Sequence, residues 1–173
     1  MRRFIYETAS EIADISGLEK MNILFVCSAN VSRSFFAEML LRHELSSEGI
    51  KNVDVLSAGL LAYQGSPPDP KMLEYLLKID VPVTLHESRQ ITGEDVGWAD
   101  RIIVMERGHA KEIKKTWPGA TDKVELLGRY ISAAGEDNIV DPFGRSSYHY
   151  RLSQSQIRMA IKNLVKQLLA DRT

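Results

Sequence analysis

The feature that most constrains the fold is an apolar run that ends at the chain's one cysteine and leads through a polar loop into a helical pattern. Residues 22–26 form that run, which is typical of a strand buried on both faces. Cys27 follows at once, and residues 35–45 then repeat apolar side chains at helical spacing. A strand followed directly by a helix is the first half of a βαβ unit, so this segment predicts a parallel sheet.

The rest of the chain alternates between the same two kinds of pattern. Strand-like runs lie at residues 53–56, 101–106 and 123–127, and helical stripes lie around residues 72–77 and 149–169. The alternation predicts one α/β domain whose parallel sheet has helices on both faces. Ligands of such sheets bind beyond the carboxyl ends of the strands, which is where Cys27 falls.

Composition and charge exclude several classes of partner. The 173-residue chain has a net charge of −1, so no extended electrostatic interaction with nucleic acid is expected. No apolar run approaches the ~20 residues of a membrane span. With one cysteine no intrachain disulfide can form, which fits the reducing cytoplasm. The histidines are scattered without metal-ligand spacing, so we expect no metal and no other cofactor.

The first twenty residues differ from the domain predicted for residues 21–173. An approximate helical stripe contains Phe4, Ile5, Ile12, Ile15 and Leu18. Four acidic residues make the segment unlike a secretory signal or a mitochondrial presequence. Two interpretations stay open: residues 1–20 are an added leader, since Met21 directly precedes the first strand, or they form a helix that docks on the domain or on a partner.

The polar loop after the first strand contains the residues suited to chemistry. It runs through Cys27, Ser28, Ala29, Asn30, Val31, Ser32, Arg33 and Ser34. Five residues between Cys27 and Arg33 let the backbone wrap around a tetrahedral anion, with its N–H groups and the positive end of the next helix turned inward. The same field favours the thiolate form of Cys27, and the Arg33 guanidinium can bind two anion oxygens.

A plainer interpretation exists for these residues. A lone cysteine at the end of a buried strand is usually a small core side chain. An aspartate followed by proline, as at Asp141 and Pro142, is often a simple turn. Taken one at a time, the patterns leave both interpretations open.

Several motifs along the chain belong together. They are residues 25–34 with Ala37 and Glu38, Ser57-Ala58-Gly59, Pro67-Pro68-Asp69, Ser88-Arg89-Gln90-Ile91-Thr92, Val104-Met105 and Asp141-Pro142. In their order and approximate spacing, over residues 22–170, they resemble the low-molecular-weight protein tyrosine phosphatases. The resemblance implies a four-stranded parallel sheet, a phosphate-binding loop after the first strand and a two-step cysteinyl-phosphate mechanism without metal.

The resemblance also implies a role for each matching residue. Cys27 corresponds to the nucleophile, Arg33 to the phosphate clamp and Asp141 to the general acid and base. Asn30 resembles the residue that holds the loop, in a left-handed conformation that asparagine tolerates. Ser34 resembles the hydrogen-bond partner of the thiolate. The other phosphate-binding positions of the loop are Ser28, Ala29, Val31 and Ser32.

Two loop residues depart from the family's pattern. Ala29 stands where glycine is most common, and we expect a negative φ there because a positive φ would strain an alanine by about 1 kcal/mol. Ser32 replaces a second cysteine found in many members, so Cys27 has no disulfide partner in the loop. The missing cysteine also argues against the related arsenate reductases, which need further cysteines.

Three residues bear on the preferred phosphoamino acid. Tyr63 lies near a position where the family has an aromatic wall for the substrate ring, although it fits a half-exposed loop anchor equally well. Phe143 follows Asp141-Pro142, where tyrosine phosphatases often carry tyrosines. Residues 141–144 also resemble the bacterial protein-arginine phosphatase branch, in which the position of Val31 is typically threonine, against isoleucine in tyrosine phosphatases. We predict phosphotyrosine and keep phosphoarginine as the alternative.

The sequence therefore predicts a cytoplasmic enzyme, a monomer or weak dimer, that acts on a phosphorylated protein or peptide. The second hypothesis is an arginine phosphatase of the same fold. A third hypothesis, motivated by Ala29, is a module that binds phosphorylated partners without cleaving them.

Overall fold

The computed structural model of the chain describes residues 19–132 and 138–171. One parallel sheet, in the order β2-β1-β3-β4, contains the strands β1 (Met21–Cys27), β2 (Val53–Gly59), β3 (Arg101–Val104) and β4 (Val124–Leu126). The parallel sheet predicted from the alternating pattern is confirmed, and so is the strand number implied by the family resemblance.

Strand β1 lies inside the sheet and is buried on both faces, as its apolar run predicts. Ile23 and Phe25 belong to one hydrophobic core, whereas Leu24 and Val26 belong to the other. This division follows from the pleat, because successive side chains of a strand point to opposite faces. The four side chains are fully buried, so β1 joins the two cores.

Helices cover both faces of the sheet. They are α1 (Arg33–Ser47), α2 (Pro70–Lys78), α3 (Gly93–Trp98), α4 (Arg107–Thr116) and α5 (Ser147–Ala170), with 3₁₀ turns at Pro118–Lys123 and Leu127–Tyr130. Helices α1, α2 and α5 pack in the first core, and α3 and α4 pack in the second. The apolar face predicted for the last helix is buried at Ile157, Ile161, Leu164, Val165 and Leu168. The layered α/β architecture is therefore confirmed.

The pattern of apolar residues did not predict α3 or α4. In α4 the buried side chains are His109 and Ile113, too few to form a visible apolar stripe. Helix α3 has six residues and begins at a capping box, in which Thr92 and Asp95 bond each other's backbone N–H. Helix α1 begins at Arg33 rather than near Phe35, because Arg33 and Ser34 of the predicted loop already belong to its first turn.

The strand order places a crevice beside the end of β1. From β1 the chain passes to β2, its neighbour on one side, and then crosses to β3, its neighbour on the other side. The direction in which strands are added therefore reverses between β1 and β3. Ligands bind at such a switch point, outside the carboxyl ends of the strands. Cys27 ends β1 there, and Glu106 follows β3 at the same edge.

Residues 1–18 lie outside the described residues, so the helical stripe predicted for them stays a prediction. At the amino end of β1, the backbone carbonyl of Glu19 accepts a hydrogen bond from Asn52 Nδ2 at 3.0 Å. Lys20 Nζ lies 2.6 Å from Asp54 Oδ2. Within the described ranges, no helix has the length and apolar character needed to cross a membrane.

Candidate active site

The loop between β1 and α1 is held from inside by Asn30. Its φ of 57° is left-handed, the conformation that the family resemblance implies, and its side chain is fully buried. Asn30 Nδ2 donates to the hydroxyls of Ser34 and Ser57, each at 2.9 Å, and Oδ1 accepts from Arg89 N at 3.0 Å. The Asn30 carbonyl accepts from His86 Nε2 at 2.8 Å. One amide side chain thus ties the loop to α1, to β2 and to the segment before α3.

The Cys27 thiol lies at the mouth of this loop in a polar environment. Its Sγ is 3.1 Å from Ser34 Oγ, and Asn30 N donates to it at 3.3 Å. Asn30 N thus places a hydrogen-bond donor against the sulfur, and the Ser34 hydroxyl can place a second one there. The first turn of α1 adds the positive end of a helix dipole. Cys27 is buried, yet it does not have the wholly apolar surroundings of a core cysteine.

Ala29 fits the loop without backbone strain. Among the described residues other than glycine, a positive φ occurs at Asn30 and Asp80, and Ala29 has none. The expectation of a negative φ at Ala29 is confirmed. The reason for suspecting a loop that binds phosphate without reacting is thereby removed.

The glycine of the Ser57-Ala58-Gly59 motif makes room for the loop. A Cβ at Gly59 would lie 2.7 Å from the Ser28 carbonyl oxygen and 2.9 Å from Asn30 N. Real Cβ atoms do not approach backbone so closely, so any side chain here would displace the loop. Gly59 N and its carbonyl also bond Arg89 O and Ile91 N, each at 2.9 Å.

A buried polar chain supports the loop from behind. Ser57 Oγ donates to Glu38 Oε2, and Arg42 Nη2 lies 2.9 Å from Glu38 Oε1. Glu38 is buried, so these partners satisfy a carboxylate that would otherwise be costly to desolvate. The sequence motifs contained Glu38 and Ser57, but only the fold joins them to Asn30.

Arg33, the predicted phosphate clamp, is the first residue of α1 and has 2% of its side chain exposed. Its Nη1 donates to Glu106 Oε1 and, at 3.0 Å, to the carbonyl of Ile139. A guanidinium fixed by a carboxylate and a carbonyl presents its remaining N–H groups in a constant direction. Glu106 was not predicted, and its place directly after β3 was the available signal.

Asp141 lies beside Arg33, with Oδ2 3.3 Å from Nη2. Its other oxygen, Oδ1, accepts a hydrogen bond from Phe143 N at 3.3 Å, which is an Asx-turn. The turn interpretation of this aspartate is therefore confirmed, and the same carboxyl also lies beside the guanidinium, while its role as general acid stays a prediction. Asp141 is 51% exposed, which leaves it open to solvent and to a substrate.

His109, in the first turns of α4, reaches the loop from the other side of the crevice. Its Nε2 is 3.0 Å from Ser28 Oγ, whereas Nδ1 is buried and has no hydrogen-bond partner among the described residues. Burial, and secondly the Arg33 charge, lower the pKa of His109, and the carboxylates of Glu106 and Asp141 offset this in part. The sequence showed His109 only as one of four scattered histidines.

The remaining predicted residues lie in three different settings. Val31 is half-buried and its carbonyl accepts from Asp69 N at 2.8 Å, while Ser32 is buried with no partner for Oγ among the described residues. The rings of Tyr63 and Phe143 are 84% and 62% exposed. Tyr63 is therefore not the half-exposed anchor of its loop, and both rings are available to a ligand.

Asp69 connects the loop to two helices. It caps α2 by accepting from Lys71 N at 2.9 Å, and its Oδ2 accepts from Tyr150 Oη of α5 at 2.7 Å. Burial, with the Asp69 carboxylate, raises the pKa of Tyr150 above the ordinary value of tyrosine, so its hydroxyl stays a donor. The Pro67-Pro68-Asp69 motif thus fixes α2 and α5 against the loop.

Comparison with known proteins places the chain in one family. Residues 22–173 match the family model described as low molecular weight phosphotyrosine protein phosphatase. A protein-arginine-phosphatase of Bacillus subtilis is 33% identical over 152 residues, which are 88% of this chain and 99% of the relative. A probable low molecular weight protein-tyrosine-phosphatase, EpsP of Ralstonia nicotianae, is 31% identical over 148 residues, 86% of this chain and 96% of the relative.

Solved structures agree with the sequence comparison. The arginine phosphatase YwlE from Geobacillus stearothermophilus superposes with a TM-score of 0.79 at 30% identity, over 88% of this chain and 95% of that structure. The match extends through the strand, loop and helix that hold Cys27 and Arg33, and through Asp141. The chain therefore belongs to the low molecular weight phosphotyrosine protein phosphatase family and is a hydrolase of that family.

Proposed function

We propose that this chain hydrolyses protein phosphotyrosine through a covalent cysteinyl-phosphate intermediate. The observation that carries the proposal is the meeting of Asp141, from a distant part of the chain, with Cys27 and Arg33 of one loop at the same edge of the sheet. Cys27 Sγ lies at the start of α1, Arg33 belongs to the first turn of that helix, and Asp141 Oδ2 is 3.3 Å from Arg33 Nη2.

In the first step the Cys27 thiolate attacks phosphorus and the bond from phosphorus to the tyrosine oxygen breaks. The loop amides and Arg33 bind the equatorial oxygens, where charge must be held as the phosphoryl group transfers. Asp141, in its acid form, gives its proton to the departing phenolate oxygen. The exposed position of Asp141 suits this role, because the leaving group points out of the loop toward solvent.

In the second step water attacks the cysteinyl phosphate and Asp141, now a carboxylate, takes a proton from that water. The bond from phosphorus to Sγ breaks and inorganic phosphate leaves. Ser34 Oγ, 3.1 Å from Sγ, donates a hydrogen bond that stabilises the departing thiolate. Asn30 Nδ2 donates to the same Ser34 oxygen at 2.9 Å, so the Ser34 proton is shared between the sulfur at 3.1 Å and the more distant Ala58 carbonyl at 3.5 Å.

Two features favour an aryl substrate. The exposed rings of Tyr63 and Phe143 provide flat apolar surfaces on which a phenyl group can stack. Val31 presents methyl groups and no hydroxyl, so that position offers no hydrogen-bond acceptor to the N–H groups of a phosphoguanidinium.

The second candidate substrate is protein phosphoarginine. The relatives from Bacillus subtilis and Geobacillus stearothermophilus that are 33% and 32% identical to this chain are named protein-arginine-phosphatases. Residues 141–144 also resemble that branch. The chemistry of the loop serves either phosphoryl group, so the difference lies in the residues around it.

The proposal includes the cytoplasm as compartment and a monomer or weak dimer as the working state. A single nucleophilic thiol needs a reducing environment to stay active, and Ser32 leaves Cys27 without a disulfide partner in the loop.

Two measurements test the proposal. Rapid quenching in denaturant of a reaction with a phosphorus-labelled phosphotyrosine peptide is expected to trap label on the wild-type protein, and none on Cys27→Ala, whose circular dichroism spectrum stays unchanged. Turnover that persists in Cys27→Ala rejects the mechanism. Rates on matched phosphotyrosine and phosphoarginine peptides decide the substrate, and a clear preference for phosphoarginine rejects phosphotyrosine and selects the second candidate.

A further inference from the structure

A groove runs along helix α5 on the side that faces α2, and none of its lining residues belongs to the loop at residues 27–34. Its upper part is a cavity of about 440 Å³ lined by Tyr75, Arg151, Gln154, Ser155, Arg158, Met159 and Lys162. A second cavity of about 120 Å³ shares Arg158 and Lys162 and extends the groove to residues of α1. We call the two together the α2–α5 groove.

The α2–α5 groove has a concentrated positive charge. Helix α5 has no aspartate or glutamate in 24 residues, and Arg151, Arg158 and Lys162 follow one another at positions that share one side of the helix. Arg158 donates to Tyr75 Oη at 2.7 Å, whereas Arg151 and Lys162 form no ion pair among the described residues. The larger cavity has no acidic lining residue, and Glu44 is the acidic residue of the smaller one.

The groove also has apolar surface. Met159 is 48% exposed within it, and the ring of Tyr75 and the side chain of Ile79 form part of its walls. A floor of this kind beside a row of cations suits a helix that has one apolar stripe and one acidic stripe.

Residues 4–18 of this chain have the sequence pattern expected of such a helix. Beside the apolar stripe described above it has Glu7, Glu11 and Asp14, at the spacing i, i+4 and i+7 that places them together on a helix. A helix of this length would be about 22 Å long, against about 16 Å from Arg151 to Lys162. The family model begins at residue 22, so the segment is an addition to the shared domain.

The attachment point of the segment lies at the correct end of the groove. Glu19 and Lys20 are fixed at the amino end of β1 by Asn52 and Asp54. Helix α5 begins beside the catalytic loop, where Tyr150 bonds Asp69, and Lys162 lines the smaller cavity with His43 and Glu44 near the end of α1. Because β1 and β2 are parallel, α1 returns to the amino end of β1, so the Lys162 end of the groove lies on the side where Glu19 precedes β1.

We propose that residues 4–18 form an amphipathic helix that docks in the α2–α5 groove, with Glu7, Glu11 and Asp14 facing Arg151, Arg158 and Lys162. The occupant is this chain's own amino-terminal segment. It covers the groove and neutralises the cationic side of α5.

Hydrogen exchange of the full-length protein at low salt tests the proposal. Amides of residues 4–18 are expected to exchange on the order of tenfold more slowly than in a free peptide of the same sequence. Either charge reversal, Arg151→Glu with Lys162→Glu or Glu7→Lys with Glu11→Lys, should return the exchange to the peptide rate. The four changes combined should restore the slow exchange, because opposite charges face each other again.

A matched control reverses two lysines of α4, on the other face of the sheet: Lys111→Glu with Lys115→Glu should leave exchange of residues 4–18 unchanged. Exchange at the peptide rate in the wild type, or no restoration in the combined variant, overturns the proposal. Protection that grows with protein concentration, together with a dimer in light scattering, also overturns it, because it assigns the groove to the segment of a second copy.

Discussion

The loop at residues 27–34 and the segment at residues 141–143 meet at one guanidinium but are built in opposite ways. The loop is buried or half-buried throughout, and Asn30 ties it to three other elements. The segment is held by one Asx-turn and one contact to Arg33, with Asp141 and Phe143 exposed. The loop that we propose binds the phosphoryl group is thus held by many contacts, and the segment that we propose meets the rest of the substrate is open.

This difference has a physical reason. Stabilisation of a transferring phosphoryl group depends on donors that are already in position, so every loop atom must be held by other contacts. Proton transfer to a leaving group needs a carboxyl that can exchange with solvent between the two steps. The four predictions below test whether the loop acts through fixed geometry and the segment through an exposed carboxyl.

The largest expected effect is at the shared residue. Arg33→Lys keeps the charge but loses the fork that contacts Glu106, Ile139 and Asp141 together, so kcat/KM for an aryl phosphate should fall about 10³-fold. Arg145→Lys, at an exposed position, is the control and should have no effect. Similar activity of the two variants would mean that charge alone suffices and that the rigid geometry of the loop is unimportant.

The next effect separates the two regions by leaving group. Asp141→Asn should slow phosphotyrosine peptides by roughly 10²-fold or more, since the phenolate then leaves without a proton. An aryl phosphate with a strongly activated leaving group should be slowed far less. Steady-state kinetics on the two substrates give the ratio, and equal slowing would assign the proton to another residue.

A smaller effect tests the packing behind the loop. Gly59→Ala places a methyl group against the Ser28 carbonyl and Asn30 N, and should lower the free energy of unfolding by about 1–3 kcal/mol while also reducing activity. Gly97→Ala is matched, because its added Cβ meets no atom within 4 Å. Urea denaturation measures the free energy of unfolding of both variants. An unchanged value for Gly59→Ala would show that the loop accommodates the methyl group at little cost.

The smallest effect concerns pH and stability. The pKa of His109 is lowered in the folded protein, so below about pH 6.5 the unfolded state binds the proton first and stability falls as pH falls. The slope cannot exceed about 1.4 kcal/mol per pH unit for one proton. His109→Gln should flatten it between pH 5 and about 6.5, whereas His43→Gln should not. Chemical denaturation across that range checks the sign, and a steeper slope in His109→Gln would contradict it.

The sequence by itself determined the parallel sheet and the loop that contains Cys27 and Arg33. β1, the loop and the start of α1 are contiguous, so the apolar run, the Cys27-to-Arg33 spacing and the helical stripe are visible without a fold. The alternation of patterns then predicted the parallel sheet, because local periodicity reflects burial. Helices α3 and α4 were not predicted, since short or sparsely apolar helices leave little periodic signal in the sequence.

Only the tertiary structure decided what surrounds those groups. Glu106 lies 73 residues from Arg33 and the Ile139 carbonyl lies 106 residues away, and both reach it because the strand order brings the ends of β1 and β3 together. The fold also brings Asp141, whose local sequence predicts only a turn, to within 3.3 Å of Arg33. Local sequence encodes elements and nearby loops, whereas contacts across the sheet depend on the order in which strands pair.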